Sequence, residues 1–144
     1  MEVLLTLLAW KLCFPNHVFL ARGNHESKMM NRMYGFEGEM KKKYSELAYD
    51  LYSEVFCVLP LAHVIEGKVI VVHGGLFSKD GVTLEDIKKV DRIREPPEDG
   101  LMSELLWSDP QPLPGRGPSK VRQFRRQCKT NNLVKARCWT LFWS

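Results

Sequence analysis

No aspartate or glutamate follows Asp109. All 17 acidic residues lie at or before that position with 13 of the 21 Lys and Arg, which leaves the first 109 residues at −4. Pro110 to Ser144 carry 8 Lys and Arg and no acid, for +8. The net +4 is therefore a sum of two unlike parts and excludes a uniformly basic domain. The four cysteines, Cys13, Cys57, Cys128 and Cys138, form no C-x-x-C pair. That removes the short-spaced zinc and dithiol motifs and gives no disulfide framework. Cys13 and Cys57 lie in apolar segments, where a cysteine is expected to be a small buried hydrophobe. No apolar run is long enough to span a bilayer. The opening Met1–Trp10 run lacks a basic leader and meets Lys11 early, so it reads as a buried helix and not as a secretory signal. These absences point to a reducing compartment, cytoplasm and/or nucleus, and to no membrane.

What is present is one domain's worth of chain: 144 residues, 44% hydrophobic and 26% charged. Residues 2–13 read as a helix that stops before Phe14-Pro15. His17–Ala21 reads as a short strand running into the polar turn Arg22-Gly23-Asn24-His25-Glu26. Residues 28–57 read as helical with a break near Gly35 to Gly38, and Leu47, Leu51, Val55 and Val58 recur at the spacing of a buried stripe. Two strands follow, Leu61–Ile65 and Lys68–Val72, joined by Glu66-Gly67. The second is apolar without alternation, the pattern of a strand covered on both faces. Thr83-Leu84-Glu85-Asp86 has the form of a capping box opening a helix to about Ile93. Glu95-Pro96-Pro97 is a loop and Leu101–Trp107 a short apolar helix. Helices and short strands mixed along the chain read as α/β (α+β).

Two polar sites share a setting: Gly23-Asn24-His25-Glu26 and His73-Gly74-Gly75 each follow an apolar strand on a glycine-containing turn. Ligands bind beyond the carboxyl ends of strands in such sheets. Neutral imidazole and amide oxygen are suitable ligands for a divalent metal, and histidine is also a general acid. Glycine beside them lets backbone approach an ion or phosphate. His17 and His63 have no such setting and read as strand-edge residues.

Leu20-Ala21-Arg22-Gly23-Asn24-His25-Glu26, Tyr34-Gly35-Phe36, Val72-His73-Gly74-Gly75-Leu76 and Leu105-Leu106-Trp107-Ser108-Asp109-Pro110 occur in that order. Their order and spacing resemble the phosphoprotein phosphatase family of metal-dependent serine/threonine phosphatases. Glu37-Gly38-Glu39, Gln111-Pro112 and Ser119-Lys120 resemble its type-five branch. The resemblance covers residues 2–120 and implies a fragment of the metallophosphatase β-sandwich with flanking helices. It implies a centre of two divalent metal ions (manganese, iron or zinc) that activate water for in-line attack on the phosphorus of phosphoserine or phosphothreonine in proteins. Position by position, Asn24 and His73 match metal ligands, and His25 matches the catalytic acid. Asn24, Tyr34 and Asp109 match substrate-binding positions, while Trp107 is expected mainly to pack. Arg22 and Glu26 are expected to form structural ion pairs. Phosphoprotein substrates and regulatory proteins are the implied partners.

The family's two aspartate-rich motifs, Gly-Asp-x-His-Gly and Gly-Asp-x-Val-Asp-Arg-Gly, have no counterpart in these 144 residues, nor has its Ser-His ligand block. The chain is therefore expected to be an incomplete, inactive catalytic domain over 1–120 followed by a basic tail over 121–144. After Ser119-Lys120 the family continues Arg-Gly-Val and then Ser-Phe-Gly. Here Gln123-Phe124-Arg125-Arg126-Gln127-Cys128 follows. One codon choice for that segment, CAG TTT CGG AGG CAA TGT, reads Ser-Phe-Gly-Gly-Asn-Val when its first base is dropped. The tail thus reads as family sequence out of frame, or as a disordered extension. The alternative is a non-catalytic interaction fragment whose basic, Trp-containing tail binds polyanions nonspecifically; nucleic acid is the less favoured partner.

Overall fold

The computed structural model describes residues 1–109 and the backbone of 117–118 and 126–127. The expectations for the remaining tail lie outside the described residues. Among the described residues six helices and two antiparallel strand pairs follow one another: α1 (Glu2–Cys13), α2 (Lys28–Met33), α3 (Phe36–Lys43), α4 (Glu46–Val58), β1 (Ala62–Ile65), β2 (Val69–Val72), α5 (Leu84–Lys88), α6 (Gly100–Trp107), β3 (Gly117–Pro118) and β4 (Arg126–Gln127). The fold is α+β, with helices flanking small antiparallel sheets.

Local chemistry sets the boundaries. Gly35 separates α2 from α3 with φ +87°, a conformation that costs a residue without Cβ little. Ser45 starts α4 by accepting the Ala48 N–H at 3.1 Å. Thr83 and Asp86 form the reciprocal capping box of α5, but the helix ends at Lys88, well short of Ile93. β1 and β2 pair antiparallel with Ala62 opposite Val72 and Ile65 opposite Val69. The Lys68 N–H donates to the Ile65 carbonyl at 3.0 Å and closes their connection.

Two clusters form the interior. The larger joins Met30, Leu61, Phe77, Met102, Leu105, Leu106 and Trp107, and Val72 packs against it. It ties α2, the foot of β1, the segment after β2 and α6 into one body. The smaller gathers Met1, Met40 and Tyr49 with Phe36 and Tyr52 against it.

Five further expectations are corrected. His17–Ala21 is not a strand: Leu20 offers its carbonyl to His63 Nε2 at 2.9 Å and the Arg22 N–H reaches the Pro60 carbonyl at 2.8 Å, isolated bonds in place of a ladder. None of α1 is buried, because only the Val3, Leu4, Leu7, Leu8 and Lys11 face is partly covered. Cys13, at its end, is exposed. The stripe on α4 faces outward, with Leu47 70% and Leu51 54% exposed, because α3 packs on the opposite face of Tyr49, Ser53 and Phe56. β2 is only partly covered, since among the described residues its sheet contains β1 and β2 alone.

Candidate active site

The two glycine-flanked turns come together. His73, just beyond β2, meets Asn24 through Nε2 at 2.9 Å from Oδ1. In the Nε2-protonated tautomer this is an N–H donating to the amide oxygen. Asn24 is buried and His73 partly so. The approach depends on glycine. A Cβ at Gly23 would stand 2.6 Å from Glu26 Oε2 and 3.1 Å from His73 Nδ1. One at Gly74 would stand 2.7 Å from the Leu105 carbonyl oxygen and 2.8 Å from Trp107 N. Gly74 instead donates its N–H to Leu105 at 2.7 Å, which seats the end of β2 on α6. A Cβ at Gly75 would stand 3.1 Å from Ser108 Cβ, so Ser108, the residue before Asp109, lies against the turn that follows His73.

His25 is held from α2. Asn31 Nδ2 donates to the His25 carbonyl at 2.7 Å, and the Tyr34 ring lies 4.8 Å from the His25 ring at a 45° tilt. Tyr34 is largely exposed, so one face of its ring is open to a ligand. Trp107 is buried in the larger core cluster, in line with its expected packing role.

Arg22 has no exposed side-chain surface. Its Nε donates to the Glu26 carbonyl at 2.9 Å, and Nη1 donates to the carbonyls of Arg92 and Arg94 at 3.3 and 2.8 Å. Its ion-pair partner is Glu95 at 3.8 Å. The Glu26 carboxylate accepts the Gly23 N–H at 2.8 Å. Burial pushes the Glu26 carboxyl above its ordinary range, and the bond from Gly23 only partly opposes this. Structural pairing of Arg22 is thus present, but the side chain of Glu26 serves the backbone of the turn.

Asn24 Oδ1 and His73 Nε2 suit a metal. In the Nδ1-protonated tautomer Nε2 has the lone pair that a metal takes, and the Asn24 amide oxygen stands beside it. Among the described residues no group of three or more His, Cys, Asp or Glu side chains is placed to hold an ion. The site is therefore a pair of donors with an adjacent histidine. Residue motifs singled out Asn24, His25 and His73 as candidates. They missed Asn31 and Glu95. The one local signal for Asn31 is its place three residues before Tyr34, one helical spacing, whereas Glu95 has no local signal.

Known proteins resemble this chain in sequence and in fold. The calcineurin-like phosphoesterase family model matches residues 2–135. Serine/threonine-protein phosphatase 5 of Arabidopsis thaliana is 70% identical over 119 residues, covering 83% of this chain and 22% of that protein. Its Homo sapiens namesake is 60% identical over 119 residues, covering 83% of this chain and 24% of that protein. The chain spans less than a quarter of the length of these curated relatives. A solved Saccharomyces cerevisiae protein serine/threonine phosphatase, described as similar to human phosphatase PP5, superposes with a TM-score of 0.81 at 48% identity, over 83% of this chain and 38% of that one. With its sequence matched from residue 2 to 135 and its fold superposed over most of its length, the chain belongs to the calcineurin-like phosphoesterase family.

Proposed function

We propose that the chain carries one wall of a protein serine/threonine phosphatase centre. Asn24 and His73 hold one of two divalent metal ions, manganese, iron or zinc, and His25 is the general acid. The observation that carries this reading is the 2.9 Å meeting of Asn24 Oδ1 and His73 Nε2, with His25 next in the chain. Bound metal would supply water activated near neutral pH and charge neutralisation for the phosphoryl group. The remaining steps fall to the chain itself. Asn24 orients a phosphate oxygen through its amide. His25 gives a proton to the departing serine or threonine oxygen, so that an alcohol and not an alkoxide leaves. Tyr34 covers one face of His25 and limits water there, and Asp109 lines the cleft beside the His73 loop. The substrates are phosphoproteins, the class on which enzymes of this kind act. The free thiols Cys13 and Cys57 suit a reducing compartment, the cytoplasm or nucleus.

A pair of donors leaves most coordination positions of an ion to other groups, so metal affinity from the described residues alone is low. Purified 1–144 is therefore expected to give no manganese-stimulated hydrolysis of a phosphopeptide. Turnover by the purified chain that disappears in His25→Ala would overturn this.

A further inference from the structure

Glu95 lies in the loop between α5 and α6, far in sequence from the His25 turn. Its Oε2 accepts the backbone N–H of Lys28 at 2.9 Å. Its Oε1 lies 3.8 Å from Arg22 Nη2 and 3.7 Å from Cys57 Sγ. One carboxylate thus reaches both flanks of the Gly23–Ser27 turn. The upstream flank is independently fixed, since Arg22 also donates to the carbonyls of Arg92 and Arg94. The downstream flank is Lys28, the first residue of α2, whose preceding Ser27 supplies no side-chain cap. The first amides of a helix lack intrahelical acceptors, so a charged acceptor there is favourable. Residues three apart lie on one side of a helix. Asn31 and Tyr34, the latter just past the end of α2, are so spaced: Asn31 donates to the His25 carbonyl and Tyr34 lies against the His25 ring, while the Lys28 backbone amide ties the start of the same helix to Glu95.

We infer that Glu95 is a positioning residue for His25: it sets α2 through the Lys28 amide, and α2 in turn sets the backbone and ring of His25. The inference rests on the reading of His25 given above, but its test needs no catalysis. Glu95 is 41% exposed, so its removal leaves no buried cavity. Gln keeps an oxygen acceptor at the same reach. Ala removes it, and Asp keeps the charge but withdraws the oxygen by one methylene.

The experiment is amide hydrogen exchange and side-chain NMR of 1–144 with Glu95→Ala and Glu95→Gln. Glu95→Ala is expected to speed exchange at Lys28 at least tenfold relative to the amides of α6. It also shifts the His25 ring protons away from the position imposed by Tyr34. Glu95→Gln restores both. If Glu95→Ala does not fold, Glu95→Asp takes its place with the same expected outcome. Unchanged Lys28 exchange and an unmoved His25 ring in the shortened variant would overturn the inference. So would uniform acceleration of every amide, or a Gln variant that fails to rescue. Absence of phosphatase activity would leave these readouts intact, so the two readings fail separately.

Discussion

Gly74→Ala probes the joint on which the site is built. A Cβ there would meet Leu105 O at 2.7 Å, Leu106 C at 2.8 Å and Trp107 N at 2.8 Å. All three are backbone atoms of α6 and cannot swing aside like the end of a long side chain. Ordinary contact begins at 3.4 Å, so the loop and helix must separate by about 0.7 Å. Forcing an extra carbon into a packed interior costs about 1–3 kcal/mol. The same separation weakens the 2.7 Å bond from Gly74 N–H to Leu105, worth about 0.5–1.5 kcal/mol. Together these give roughly 2–4 kcal/mol, a thirty- to thousand-fold fall in the folded-to-unfolded ratio. Gly38→Ala is the matched control. Gly38 lies inside α3 with open space around its Cβ direction. Alanine there should add about 0.5–1 kcal/mol by helix propensity. Urea unfolding followed by far-ultraviolet circular dichroism measures both, compared at equal slope. A Gly74→Ala chain within about 0.5 kcal/mol of the parent, the range of neutral surface changes, would refute the account of this joint.

Three further outcomes are expected. Burial raises the Glu26 carboxyl above its ordinary value of 4.5, so the folded state holds this proton more tightly than the unfolded state. Stability from this group then falls as pH rises from 4.5 through the folded value, and Glu26→Gln should gain on the parent over that window while matching it below; a gap in melting temperature that does not vary with pH would contradict this. Leu105 has no exposed surface and Leu12 is 82% exposed; Leu105→Ala should cost about 2–5 kcal/mol and Leu12→Ala within about 0.5, by chemical denaturation. Sequencing the transcript across codons 118–130 tests the frame of the tail: a one-base shift should yield the Ser-Phe-Gly block, and its absence in every frame ends that reading.

The parts legible in sequence were those governed by local chemistry. The α1 boundaries and the Thr83–Asp86 capping box needed only a stop before proline and a cap motif. What failed depended on neighbours. α4 has two apolar faces, Leu47, Leu51 and Val58 on one and Tyr49 and Phe56 on the other, and spacing alone does not choose between them. Packing against α3, with the Phe36 and Phe56 rings 5.8 Å apart, chose the aromatic face. His17–Ala21 has strand composition, but a strand is defined by partners, and its contacts with His63 and Pro60 are single bonds. Glu95 was invisible because its contacts lie 67 and 38 residues away in sequence, at Lys28 and Cys57.

The central claim is that Asn24, His25 and His73 form part of a phosphatase centre. It is tested most directly by grafting residues 2–109 of this chain in place of the matching segment of the Arabidopsis thaliana phosphatase 5, which is 70% identical over 119 residues. Manganese-dependent kcat on a phosphopeptide is then measured with and without His25→Ala. The account expects an active graft whose kcat falls by about 10²–10⁴-fold in the His25 variant. A folded, metal-loaded graft with no turnover, or one indifferent to the loss of His25, would contradict it.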